Sequence, residues 1–214
     1  MKKKLKAFIF DLDGVITDTA EFHYQAWKKL AEKEGILFTR KDNEELRGVS
    51  RERSLELLIG DREYSEHEKK VLMERKNRYY QELVATITSD DLLPGVANII
   101  KRLKNNGYKL AVASASKNAK KVIKNLGLED VFDTIADGYS VKNGKPAPDL
   151  FLYTADKIGV LPECCAVLED AKSGVEAALA ANMIAIGIGP VERVGIADYV
   201  YNTIAEVDLN EILE

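Results

Sequence analysis

Two aspartates, Asp11 and Asp13, follow the apolar run Ala7-Phe8-Ile9-Phe10 and precede Gly14. The run is too short for an ordinary helix and rich in β-favouring residues, so it reads as a buried strand delivering both carboxylates at its C-terminal end. Open α/β sheets bind their ligands at that end. Residues two apart on continuing strand geometry project to one side, and Gly14 then lets the backbone turn away. Two like charges held together favour a shared proton or a shared cation. A bare Asp-x-Asp also fits a polar strand end before a turn, so the reading depends on what else the chain brings to that edge.

Three later stretches also end strands, and each has a bland reading beside the chemical one. In Ala113-Ser114-Ala115-Ser116-Lys117-Asn118, hydroxyls and free N–H groups at a helix start suit a phosphate, although serines there also act as simple caps. In Lys145-Pro146-Ala147-Pro148-Asp149, two prolines stiffen a loop that could fix the lysine on a phosphoryl group; the alternative is a turn with an exposed lysine. Glu169-Asp170 follows the strand Ala166-Val167-Leu168 and completes a set of four carboxylates at one edge. Unneutralised, each pair at ~4 Å costs on the order of several kcal/mol at an effective dielectric of ~20. Hard oxygen ligands within a phosphate-binding surround point to Mg²⁺.

The elements that must position these residues follow from periodicity. From Leu93 onward helix and strand alternate: helix from Val96 to about Leu103, strand 109–113, helix 117–126, strand 132–136, helix 148–158, strand 166–168, helix 173–181, strand 184–188, then a weaker strand 198–201 and helix 204–213. This alternation predicts an α/β fold, a doubly wound parallel sheet of Rossmann-like type. Residues 17–86 contain no convincing strand and read as an inserted all-helical cap, leaving 1–16 and 87–214 as the α/β core, with hinges at Val15-Ile16-Thr17 and Ala85 to Leu92.

Within that insert, Asp18 is expected to cap a helix with Glu21 as its capping-box partner, placing Ala20, His23, Trp27, Leu30 and Ala31 on one face. His23 is then either a core histidine or a site residue close to Asp13. The turn Leu46-Arg47-Gly48-Val49-Ser50-Arg51 separates two short helices, with Ser50 capping the second, and could hold an anion between its arginines; the alternative is two solvated arginines. A helix from Glu66 to about Thr86 buries Leu72, Tyr79 and Leu83, with Lys76 on that stripe and expected to snorkel outward.

Composition bounds the function. The 214 residues carry a formal net charge of −4, with 46% hydrophobic and 31% charged residues. These values offer no general attraction for nucleic acid or an anionic membrane surface, and no apolar stretch approaches the length of a span. The start, Met1-Lys2-Lys3-Lys4, is basic like a signal peptide, but Asp11 and Asp13 interrupt the apolar run that would have to follow. The two cysteines, Cys164 and Cys165, are adjacent and read as packing residues in a reducing cytoplasm, and with two histidines they make zinc a poor fit.

The ordered set Asp11-Leu12-Asp13-Gly14, Ser114, Lys145 with its following prolines, and Glu169-Asp170 resembles the haloacid-dehalogenase-like phosphotransferases across essentially the whole core. The stretches Phe10 to Ala20, Gly48 to Arg51, Ala113 to Asn118, Lys145 to Asp149 and Leu168 to Asp170 extend the resemblance to that family's hexose-phosphate mutases, cap included. The resemblance implies a phosphotransferase that interconverts β-D-glucose 1-phosphate and D-glucose 6-phosphate through an aspartyl-phosphate enzyme and β-glucose 1,6-bisphosphate. It makes Asp11 the nucleophile and Asp13 the general acid and base. It gives Mg²⁺ to the carboxylates of Asp11, Glu169 and Asp170 and to the backbone carbonyl of Asp13.

The phosphate- and substrate-binding residues it implies are Thr19, His23, Trp27, Arg47, Gly48, Val49, Ser50, Arg51, Lys76, Ser114, Ala115, Ser116, Lys117, Asn118 and Lys145. Its partners are small-molecule sugar phosphates, handled by a cytoplasmic monomer. Two positions depart from the family pattern, Arg47 where lysine is usual and the Asn143-Gly144 turn before Lys145. Two rival functions share these residues: a Mg²⁺-dependent sugar-phosphate phosphatase, set apart by the cap residues His23, Arg51 and Lys76, and a non-catalytic phosphoacceptor module, which has little use for Asp13 or a cap.

Overall fold

In the structure, a computed structural model that describes residues 4–213, six strands form one wholly parallel sheet: β1 (Ala7–Phe10), β2 (Lys109–Ala113), β3 (Thr134–Ala136), β4 (Cys165–Glu169), β5 (Ile184–Ile188) and β6 (Tyr199–Tyr201). The basic start Met1-Lys2-Lys3 lies outside the described residues. Strand order is β3-β2-β1-β4-β5-β6. The order reverses at β1, so a crevice opens between the C-terminal ends of β1 and β4, where doubly wound sheets bind ligands. Phe10 stands level with Val112 on one side and Leu168 on the other, and this register brings Asp11 beside Glu169.

Helices cover both faces, as parallel sheets require. Phe8, Phe10, Leu110, Val112, Leu168 and Ile186 point into one layer with α5 (Val96–Asn105), α6 (Ala119–Asn125) and α10 (Leu209–Leu213). Ala7, Ile9, Ala111, Cys165, Val167 and Ala185 point into the other, with α7 (Asp149–Lys157), α8 (Lys172–Ala180) and the short α9 (Val191–Val194). Cys164 and Cys165 are buried and unlinked. The 117–126 helix starts only at Ala119, leaving Lys117 and Asn118 in the loop after β2. The 204–213 helix is two pieces, a single 3₁₀ turn at Ile204–Glu206 and then α10.

Between β1 and α5 lie α1 (Ala20–Lys33), α2 (Arg40–Glu44), α3 (Arg51–Ile59) and α4 (Glu66–Val84). Their shared apolar cluster is built from Tyr24, Trp27, Leu30, Phe38, Leu55 and Leu72, among others. The chain leaves the sheet and returns at one place, where Thr17 bridges antiparallel to Leu92 and Leu93 N donates to Ile16 O at 3.0 Å.

Two sequence expectations fail here. Thr19, not Asp18, precedes α1, and there is no capping box: Asp18 Oδ1 accepts from Ala20 N at 3.1 Å, while Glu21 is drawn away by Arg40 at 2.7 Å. The buried stripe of α4 is Leu72, Lys76, Tyr80 and Val84, not Leu72, Tyr79 and Leu83. A lysine thus occupies an i, i+4 position inside the stripe, and reading it as a snorkelling exception displaced the face by one residue.

Two glycines set how closely the loops approach the crevice. Gly14 adopts φ +87°, and a Cβ there would stand 2.4 Å from Asp170 Oδ2. A Cβ on Gly174, in the first turn of α8, would stand 2.0 Å from the Glu169 carboxyl carbon. Replacing Gly174 with Ala is therefore expected to cost roughly 1–3 kcal/mol through overpacking and to displace Glu169. Urea unfolding beside Mg²⁺ titration checks this; unchanged stability and metal affinity would contradict it.

Candidate active site

Asp11 extends the ladder beyond β1, its N–H donating to Leu168 O at 2.9 Å. Its carboxylate, Glu169 and Asp170 are buried and each offers an oxygen within 4.8 Å of the others. Such a gathering of like charge needs cations. Lys145 Nζ, fully enclosed, donates to Asp11 Oδ1 at 2.5 Å, Glu169 Oε2 at 2.7 Å and Ala113 O at 3.1 Å. Burial works against its charge, but the two carboxylates hold its pKa above the usual lysine range. Burial, reinforced by Asp11, pushes Glu169 up to about 8 and Asp170 up to about 7. The donor set is all oxygen and short of positive charge, which fits a hard divalent cation such as Mg²⁺.

Asp13 is not one of that group. Its Oδ1 is sealed from solvent without a hydrogen-bond partner, although a quarter of the side chain stays accessible. Burial, then Asp11 and Asp170, raise its pKa to about 8. His23 Nε2 lies 4.0 Å from Asp13 Oδ2, and His23 Nδ1 lies 3.0 Å from Lys76 Nζ. A charged Lys76 donates to Nδ1, which places the ring proton on Nε2, facing Asp13. Burial, with the charges of Lys76, Arg51 and Arg47, holds His23 neutral. Lys76 is itself only 2% exposed, its ammonium 4.8 Å from the rings of Trp27 and of Tyr80. Burial and Arg51 depress its pKa well below the usual lysine range.

A cavity above both aspartates is enclosed by sheet edge and helices together. Of the residues singled out from sequence, Asp11, Asp13, His23, Trp27, Arg47, Gly48, Val49, Arg51, Lys76, Ala115, Ser116, Lys117, Asn118 and Asp170 line it. Ser114, Lys145, Glu169 and Thr19 are buried and are not part of its lining. Ser50 is not part of its lining; its hydroxyl accepts from Arg53 N at 3.2 Å and caps α3.

Polar bonds tie the two walls: Arg51 Nη2 donates to Asn77 Oδ1 at 2.9 Å, Asn118 donates to the same oxygen at 3.0 Å, and Lys117 pairs with Glu52. Sequence reasoning missed Tyr80, Asn77 and Arg193. The i, i+4 relation to Lys76 could have revealed Tyr80, whose ring lies 4.2 Å from that of His23. Arg193, 3.9 Å from Asp170 Oδ2, carries no local signal beyond following β5.

Fold and site together define a doubly wound α/β protein with a carboxylate centre at its topological switch point and a helical roof over it. The chain belongs to the haloacid dehalogenase-like hydrolase family, whose sequence profile matches residues 5–182. It is 45% identical to the β-phosphoglucomutase of Bacillus subtilis strain 168 over 98% of this chain and 95% of that protein. A crystal structure of β-phosphoglucomutase from Clostridium difficile superposes with a TM-score of 0.94 at 45% identity, covering 97% of this chain and 95% of that one. A phosphorylated carbohydrates phosphatase of Thermotoga maritima is 35% identical over 84% of this chain and 82% of its own.

Two outcomes follow from the electrostatics. Asp13, Glu169 and Asp170 titrate higher in the folded than in the unfolded state. Their contribution to stability is therefore present below about pH 4 and is lost as pH rises through about 7–8. Metal-free protein is expected to melt at lower temperature at about pH 8 than at about pH 5, with Mg²⁺ recovering more at the higher pH; a calorimetric series with and without Mg²⁺ checks both. Lys76→Met removes a buried amine whose charged form burial and Arg51 disfavour, and is expected to raise stability by roughly 1–4 kcal/mol while lowering activity. Urea unfolding beside a turnover assay reads the two effects, and a variant that loses stability would show that the ammonium's contacts outweigh its burial.

Proposed function

We propose that this chain is a Mg²⁺-dependent mutase that interconverts β-D-glucose 1-phosphate and D-glucose 6-phosphate through an aspartyl-phosphate enzyme and β-glucose 1,6-bisphosphate. The observation that carries the reading is the division of the aspartate pair: Asp11 sits with Lys145 and the acidic cluster, and Asp13 sits with His23 under the helices. The near full-length likeness to two β-phosphoglucomutases supports it.

In this reading the Asp11 carboxylate attacks phosphorus in line and becomes the phosphoenzyme. Ser114, the Ala115 N–H and Lys145 hold the oxygens of the moving group, with Ser116, Lys117 and Asn118 closing that side. Arg51 and the Gly48-Val49-Ser50 backbone, with Arg47, grip the phosphate that does not move, and Lys76 and Trp27 face the sugar. The carboxylates of Asp11, Glu169 and Asp170, with the Asp13 carbonyl, would hold Mg²⁺, which supplies charge neutralisation at the phosphoryl group. Asp13 takes the proton of the sugar hydroxyl as phosphate leaves Asp11 and returns a proton to the sugar oxygen when Asp11 takes the other phosphate. A pKa near neutrality suits both directions. Thr19 and His23 orient it.

The segment 17–86 acts as a cap, with 1–16 and 87–214 as the core, and the sugar phosphate rather than water completes the closed site. The substrates are soluble sugar phosphates in the cytoplasm, and no helix among the described residues is long and apolar enough to cross a membrane.

Phosphorus NMR of the products from β-glucose 1-phosphate, Mg²⁺ and a trace of the bisphosphate tests the function. Glucose 6-phosphate is expected; inorganic phosphate without it would assign the chain to the phosphatases. Asp11→Asn is expected to abolish phosphoenzyme formation. Asp13→Asn is expected to slow transfer to sugar by at least ~100-fold while leaving the phosphoenzyme detectable. Identical defects at every step would overturn the division of roles.

A further inference from the structure

The acidic cluster has a cationic partner that comes from the helices rather than the sheet. Arg47, in the turn between α2 and α3, donates from Nη1 to Asp170 Oδ2 at 2.9 Å and from Nε to Glu44 Oε2 at 3.1 Å. Glu44 Oε2 lies 3.5 Å from Arg193 Nη1, and Arg193 Nη2 lies 3.9 Å from the same Asp170 oxygen. The four side chains close a ring of alternating charge, with Glu44 and Arg47 supplied by the helical segment and Asp170 and Arg193 by the sheet edge.

The backbone of that turn is fixed independently of the ring. Ser173 Oγ donates to Arg47 O at 3.3 Å, and a Cβ on Gly48 would stand 2.7 Å from Ser173 Oγ and 2.8 Å from Ala171 Cβ. Only the Arg47 side chain is therefore placed to change partner. It lines both the cavity above Asp11 and a second cavity of about 300 Å³, and Asp170 lines both as well. A guanidinium bonded to one oxygen of a cation ligand opposes cation binding by its charge, whichever oxygen the cation takes.

We propose that Arg47 is an exchangeable counter-ion. Without a cation it neutralises Asp170; cation binding releases its guanidinium into the cavity, where it meets the non-transferring phosphate of the sugar. Glu44 and Arg193 keep the ring's remaining pair together, so the turn stays seated during the exchange. Cation and sugar phosphate then assist one another, because each claims one member of the Arg47–Asp170 pair, and such coupling is reciprocal.

The inference rests on the cation site proposed above, and calorimetry with Mg²⁺ alone separates the two. Arg47→Met is expected to bind Mg²⁺ roughly five- to tenfold more tightly than wild type in the absence of sugar, while its KM for β-glucose 1-phosphate rises. Glu44→Gln leaves the two arginines uncompensated beside Asp170 and is expected to bind Mg²⁺ more weakly, which keeps the test usable should Arg47→Met not fold. Mg²⁺ bound equally or more weakly by Arg47→Met, or unchanged by Glu44→Gln, would overturn the exchange alone. No Mg²⁺ binding to wild type would overturn the cation site with it.

Discussion

The structure depends on concentrating negative charge at one end of a buried sheet and neutralising it with few cations. Parallel strands β1 and β4 end side by side, so Asp11, Glu169 and Asp170 meet where solvent cannot separate them. At ~4 Å and an effective dielectric of ~20, each pair of charged carboxylates repels by about 4 kcal/mol. Lys145 answers two of them and Arg47 a third. Burial first, and then the repulsion left over, holds Glu169 and Asp170 above the usual carboxylate range. A site in that state is ready for a divalent cation and for the dianionic group the cation accompanies.

The same edge must also keep one carboxylate out of that arrangement. Asp13, two residues beyond Asp11, is carried away by the tight turn in which Gly14 N bonds Thr17 O at 2.8 Å. It faces a neutral histidine contributed by α1, whose other ring nitrogen meets a buried lysine of α4. In the proposed reaction, nucleophile and proton carrier thus belong to different layers, one fixed to the sheet and the other reaching into the helices. Under that proposal, motion of the helices relative to the sheet gates proton transfer without disturbing the phosphoryl site.

Much of this was legible in the sequence, and the exceptions have physical causes. Strands such as Phe8-Ile9-Phe10 and Ala166-Val167-Leu168, buried on both faces, are continuous apolar runs, and the residues after them fall at one edge by topology alone. Lys145 was legible as a residue of that edge but not as the bridge between Asp11 and Glu169, because its partners are 134 and 24 residues away. The phase of α4 was misread because Lys76 is buried where periodicity admits only apolar residues. The cap of α1 was misread because the helix starts one residue later than expected, after Thr19, which puts Phe22 rather than Glu21 at its third position and leaves Glu21 to pair with Arg40. Arg193 stayed invisible because its role comes wholly from the Asp170 and Glu44 that packing places beside it.

What divides a mutase from a phosphatase on this fold is the fate of the phosphoenzyme, since water and a sugar hydroxyl are both oxygen nucleophiles. Asp13 shares one cavity with His23, Lys76 and the turn carrying Arg51, and under the proposed function its proton transfer depends on a sugar phosphate filling that cavity. Rapid-quench partitioning of ³²P-labelled phosphoenzyme, mixed with β-glucose 1-phosphate and Mg²⁺, measures that fate directly. The account predicts label in the bisphosphate first and then in glucose 6-phosphate, at a rate far above that of the phosphoenzyme left in buffer. Label appearing as inorganic phosphate at the same rate with or without the sugar would contradict it.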